Sequence, residues 1–263
     1  MTSKINILVF VVCMSIIATP AIGREFSLLK HASISGQSSH MINGIDTVTA
    51  SAGSGIKGSI NLSLSKNFGL EFGVGYLSMK IDQNSAVNQW NWSYYDSVYA
   101  NKLYYYIQSG EYDIEQHPQQ QITIIPFEVA LNYSVSLSKA IEPYILGGVG
   151  IFSYKRNLWL DETWGEGYKL PQDSIYYEYR FNHYAPPKKG AIPYLRLGAG
   201  VNFTLMQYLS LGVDYELNHI PFRKGSISYR VYDILFTENY YRQIDNFPFD
   251  DIGKITLSLN FNY

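Results

Sequence analysis

Seven ionisable residues stand at polar positions within runs where every second residue is apolar: Lys57, Glu71, Glu128, Arg196, Asp214, Glu216 and Lys254. If one enclosed surface collects them, the four acids must meet the three bases, because an unpaired buried charge is expensive. The expected chemistry is then a charge-paired plug, and the alternative is a narrow polar path for ions or small solutes. Serine hydrolysis would need Ser, His and an acid converging in space, and the best local fragment is Glu216-Leu217-Asn218-His219. His31, His40, His117 and His183 are scattered without metal-ligand spacing. The sole cysteine is Cys13. Asn61-Leu62-Ser63 matches a glycosylation acceptor pattern, by coincidence within a strand.

The elements that must position these residues begin after a targeting segment. Lys4 precedes the apolar run from Ile5 to Ile17, and Ala18-Thr19-Pro20-Ala21-Ile22-Gly23 supplies small residues for a cut after Gly23. Residues 1–23 therefore read as a secretory signal peptide and 24–263 as the mature domain. Cys13 leaves with the signal, which excludes disulfides, thiol catalysis and cysteine metal sites. Net charge is −2, and loss of Lys4 makes it −3, so there is no basic footprint for nucleic acid. Charged residues make up 16% of the chain, below the roughly 25% usual for soluble domains, and aromatics also reach 16%, with 24 Tyr.

Beyond residue 23 the chain alternates with period two. Phe127, Val129, Leu131, Tyr133, Val135 and Leu137 are separated by Glu128, Ala130, Asn132, Ser134 and Ser136, and similar runs cover 195–203, 209–218 and 254–263. Eight strands are predicted, near 24–35, 54–65, 68–81, 121–137, 141–156, 191–205, 208–220 and 252–263. Tight turns at Lys66-Asn67, 138–140 and Met206-Gln207 alternate with long loops at 36–53, 82–120, 157–190 and 221–251. The polar face is mostly Ser, Asn, Gly and Thr, which suits a lumen better than the Lys- and Glu-rich outer face of a soluble sandwich. The expected fold class is all-β: an eight-stranded antiparallel up-and-down transmembrane β-barrel, with short periplasmic turns and long extracellular loops.

The glycine-rich strand–turn–strand Leu64-Ser65-Lys66-Asn67-Phe68-Gly69-Leu70-Glu71-Phe72-Gly73-Val74-Gly75-Tyr76 resembles small outer-membrane β-barrel proteins of the OmpA and OmpX kind, and the segments at 143–151 and 193–201 look alike. The final strand, with Leu259, Phe261 and Tyr263 on its apolar side, is similar to the terminal signal read by the outer-membrane insertion machinery. The resemblance implies a monomer in the bacterial outer membrane, partnered by lipids, with no cofactor and no appended peptidoglycan-binding domain. It also bears on catalysis, since some eight-stranded barrels are lipid A deacylases or acyltransferases. The deacylase motif wants a serine two residues after the histidine, where this chain has Pro221. The expectation is a non-catalytic structural or surface-interacting barrel, with a porin-like channel as alternative and a lipid A-modifying enzyme ranked lower. Trp90, Trp92, Trp159 and Trp164 lie in the proposed loops with Tyr94, Tyr95, Tyr104, Tyr105, Tyr106, Tyr176, Tyr177, Tyr179, Tyr240 and Tyr241. They are expected to form an interfacial girdle, or a platform for an extracellular ligand.

Overall fold

A computed structural model describes residues 29–44, 48–84, 86–90, 92, 94–95, 99–110, 112–169, 174–221, 227–232, 238–243 and 247–262. The predicted signal peptide and Tyr263 lie outside these residues.

Among the described residues eleven strands are present: β1 Leu29–Gly44, β2 Val48–Ser63, β3 Phe68–Gln83, β4 Asp113–Ser134, β5 Ile141–Lys169, β6 Ser174–Tyr184, β7 Lys188–Met206, β8 Leu209–His219, β9 Ile227–Tyr232, β10 Glu238–Gln243 and β11 Phe249–Asn262. Eight of them close a ring in the order β1-β2-β3-β4-β5-β7-β8-β11, and β11 pairs back onto β1 from His31↔Asn262 upward. Every pairing is antiparallel. Closure leaves no free edge in the ring, which a lipid-embedded sheet requires. β6 pairs with β5 above the ring, β9 pairs with β10, and two short helices, α1 Ala86–Gln89 and α2 Ala100–Ser109, lie between β3 and β4. α2 ends at Gly110, whose φ of 67° is the left-handed conformation glycine adopts without steric cost.

The outward face is apolar over the height of a membrane. Phe127, Val129, Leu131 and Tyr133 on β4, and Ile255, Leu257, Leu259 and Phe261 on β11, are all exposed. Their neighbours Glu128, Ala130, Asn132 and Ser134, and Lys254, Thr256, Ser258 and Asn260, are buried. An apolar belt around a polar-lined closed cylinder is the geometry of a transmembrane β-barrel, and the chain folds as one.

Two features differ from the sequence-based expectation. Residues 36–44 and 48–53, predicted as a long loop, are strand, so β1 and β2 are longer than 24–35 and 54–65 implied. Ser33, Ser35, Gln37 and Ser39 face inward while Gly36 and Ser38 face outward, so small residues on both faces erase the apolar rhythm. The other long connections are largely folded: the 82–120 segment holds both helices and the start of β4, and 157–190 is mostly the β5–β6 hairpin.

Candidate functional site

The lumen is built in layers. At mid-height six of the seven predicted charges meet. Lys57 Nζ lies 2.9 Å from Glu71, 2.8 Å from Glu128 and 3.5 Å from Glu216. Arg196 lies 2.9 Å from Glu71 and 3.1 Å from Glu128, and its Nη2 contacts Glu216. Lys254 Nζ is 3.0 Å from Glu128 and 3.5 Å from Glu216. These groups arrive from six strands (β2, β3, β4, β7, β8 and β11), each placed inward by strand parity. With Arg196 1% and Lys254 0% exposed, three cations and three carboxylates share one desolvated layer in which each side chain has several opposite partners. Asp214 stands apart. Its Oδ2 accepts from the Tyr144 hydroxyl at 2.9 Å, and among the described residues no cation lies within ion-pairing distance.

Below this layer a polar vestibule faces the end of the barrel that carries the tight turns, lined by Ser35, Asn132, Tyr144, Asn202, Asp214 and Asn260 among others. Its cavity of about 40 Å3 has room for a few waters, at roughly 10–15 Å3 each on this measure. At the rim Lys30 bridges Glu142 at 2.7 Å and donates to Ser134 at 3.2 Å.

Above the ionic layer the bore turns apolar, which was not expected. Leu77, Met79, Ile81, Ile122, Ile124, Phe152, Tyr154, Tyr194, Phe247, Phe249 and Ile252 form one buried cluster inside the wall. Tyr194 joins the layers: its ring stacks on Phe152 at 3.7 Å between centroids, and its hydroxyl donates to Glu128 at 2.7 Å. Gly150, directly across from Tyr194 in the ladder, makes this packing feasible, since a Cβ there would come within 2.5 Å of the ring.

A sequence signal for this plug existed. Tyr76-Leu77, Ile124-Ile125 and Ile151-Phe152 are apolar pairs at which the apolar positions change parity. Below them apolar residues face lipid, and above them they face inward.

The strands continue above the plug into a cap with its own core of Ala86, Val87, Trp90, Trp92, Tyr95, Leu158, Leu160 and Ala185. Trp90 Nε1 donates to the Pro186 carbonyl at 3.1 Å, and Arg156 and Lys188 each lie 4.9 Å from its ring centre. Trp159 and Trp164 sit on β5 and are half-buried, and Trp164 packs against Tyr106, Tyr112 and Phe181. Two of the four predicted loop tryptophans thus face an internal core and not the surface. Tyr104, Tyr105, Tyr176, Tyr177 and Tyr179 are exposed.

Inside the cap the buried Glu162 was not singled out from sequence. It accepts from Trp164 Nε1 at 3.1 Å, from the Tyr99 hydroxyl and from Gln116 Nε2, and lies 3.2 Å from His183 Nε2. Burial pushes its carboxyl above the ordinary value, against the Trp164 hydrogen bond and the attraction of His183.

The Glu216–His219 fragment is split by strand parity: Glu216 points into the ionic layer and His219 outward, 51% exposed at its side chain. The acid beside His219 is Asp251, with Nδ1 and Oδ1 2.7 Å apart, and Asp251 Oδ2 accepts from Asn43 at 2.8 Å. Leu259 and Phe261 are on the lipid-facing side of β11.

No family model and no curated protein sequence matches this chain. Solved structures with a similar course include outer membrane proteins and designed transmembrane β-barrels. The attachment invasion locus protein Ail of Yersinia pestis, in complex with the heparin analogue sucrose octasulfate, is 10% identical with a TM-score of 0.42, over 90% of this chain and 99% of that one. Neisserial surface protein A is 10% identical at a TM-score of 0.42, over 88% and 97%. The Escherichia coli outer membrane protease OmpT is 10% identical at 0.35, over 94% and 100%.

Proposed function

We infer that this chain is a non-conducting, non-catalytic outer-membrane barrel that serves as a rigid mount for its extracellular cap, through which it engages a surface partner. The observation that carries this reading is the double closure of the bore, an ionic layer beneath an apolar cluster. A conduit gains nothing from a plug of Phe152, Tyr194 and Phe247, whereas a mount gains stiffness from it. The cap supplies the other half: a buried core that fixes its shape and exposed tyrosines that give large contact area at low entropic cost. In this reading export uses residues 1–23, insertion uses the apolar side of the last strand through Leu259, Phe261 and Tyr263, and the protein works as a monomer without cofactor.

Planar-bilayer recording of the purified protein tests the closure. Silent membranes are expected, and steady ohmic steps would favour the small-solute channel instead. The His219–Asp251 pair favours a second reading, lipid-directed catalysis, because a carboxylate-oriented imidazole is the base half of a hydrolytic triad. Mass spectra of lipid A from expressing cells decide it: an acylation change that His219→Ala abolishes would establish an enzyme, and unchanged spectra would remove that reading.

A further inference from the structure

The outer wall is not uniform around its circumference. Lys155 on β5 and Lys189 on β7 are directly opposite in the ladder, both outward and exposed. Like charges in that position, with Cβ atoms about 5 Å apart, repel one another, and among the described residues neither has an acidic partner. Lys80 on β3 is exposed on the same side, two strands from β5. On the opposite side, the upper ends of β1, β8 and β11 present Asn43, His219 and Asp251.

Beneath the lysines lies an open apolar groove of about 560 Å3 across the outer faces of β3, β4, β5 and β7, lined by Phe72, Phe127, Val149, Ile151, Pro193 and Leu195 among others. Lys155 is four residues above Ile151, and Lys189 is four residues above Pro193, which runs the other way. That separation is about 13 Å along the strand. The groove therefore lies in the hydrocarbon zone and the lysine pair at the level of the headgroups, on the side of the membrane that carries the cap.

We propose that the β3–β4–β5–β7 face is a binding site for a phosphorylated, acylated lipid of the outer leaflet, with an acyl chain in the groove and a phosphate between Lys155 and Lys189, assisted by Lys80. The phosphate removes the repulsion the ladder otherwise carries, and charge complementarity fixes the headgroup directly above the chain it belongs to. Neither half alone specifies a lipid; their alignment on one face does.

The test uses the full mature barrel in detergent with bis-phosphorylated lipid A as the probe, bound complexes being counted by native mass spectrometry. Retention by the parent protein is expected, with roughly thirtyfold weaker binding for Lys155→Gln/Lys189→Gln and a smaller loss for Lys80→Gln. All three lysines are exposed, and unchanged heat-modifiability on gels certifies that the variants are folded. Dephosphorylated lipid A should bind the parent as weakly as lipid A binds the double variant. Binding of the double variant within threefold of the parent, or equal binding of the dephosphorylated lipid, would overturn the site. So would inorganic phosphate that competes as well as lipid A, because the groove would then contribute nothing. Ile151→Trp, which fills the groove and leaves the lysines in place, should also weaken retention; unchanged binding there would overturn the acyl-chain half.

Discussion

Two carboxylates, both nearly sealed from solvent, are stabilised by different means. Glu128, inside the barrel, lies within 3.1 Å of Lys57, Arg196 and Lys254 and takes a fourth contact from Tyr194. Glu162, inside the cap, takes hydrogen bonds from the neutral donors Tyr99, Gln116 and Trp164 and lies beside His183. The wall brings six charges together from six strands and so can neutralise carboxylates with permanent cations. The cap, built from one hairpin and a helical segment, relies on hydrogen bonds and an imidazole. The six-charge layer should thus be insensitive to pH near neutrality, and the cap should respond to it.

The largest expected effect comes from breaking the luminal layer. Arg196→Met strands Glu71, Glu128 and Glu216 with fewer cations and should cost about 3–5 kcal/mol, read from urea unfolding in lipid vesicles. Adding Glu216→Gln should recover part of the loss; a double variant no better than the single would mean the cost is packing and not charge. Phe152→Ala, in the apolar layer, should cost about 3 kcal/mol in the same assay. Planar bilayers containing it should stay silent, because the ionic layer still lies beneath, and current steps would show that the apolar layer alone closes the bore.

The cap provides the finer contrast. Burial raises the Glu162 carboxyl above its ordinary value, so the folded cap binds the proton more tightly than the unfolded chain does. Stability is present at low pH and falls as pH rises through the folded value. Protease resistance of the cap should therefore be greater at pH 5 than at pH 8. Glu162→Gln should flatten that slope and raise stability at pH 8, while the luminal layer, which contains no histidine, shows no slope. Smallest of all is Lys30→Gln. With side chains 31% and 26% exposed, the Lys30–Glu142 pair at the rim should contribute under about 1 kcal/mol, measured by the same unfolding curve.

How much of this the sequence carried depended on whether the two faces of a strand differed in kind. Between Phe127 and Ser134, or between Ile255 and Asn260, large apolar residues alternate with polar ones, and both the strand and its inward charges could be read directly. In the upper part of β1 and β2 both faces hold Ser, Gly and Ala, and the strand looked like a loop. The apolar plug was hidden for the opposite reason. Leu77, Ile122 and Phe152 are as hydrophobic as the lipid-facing residues, and only the parity change one position away distinguishes them. Asp251, 32 residues from His219, was illegible because the register of β8 against β11 decides that pairing. Glu162 sits on the part of β5 beyond residue 156, where long-range pairing with β4 and β6 sustains the strand.

β5 runs without a break for 29 residues, from the tight-turn end of the wall into the cap. It is laddered to β4 from Ser134↔Tyr144 to Asp113↔Gly165, and on its other edge to β7 and then β6. A pull on the cap, directed away from the cell, would act along this strand and load its cross-strand bonds in shear, many at once, instead of peeling them in turn. The tether is the wall itself, so mechanical tension applied at the tip would be spread through the membrane-embedded cylinder before any loop had to stretch.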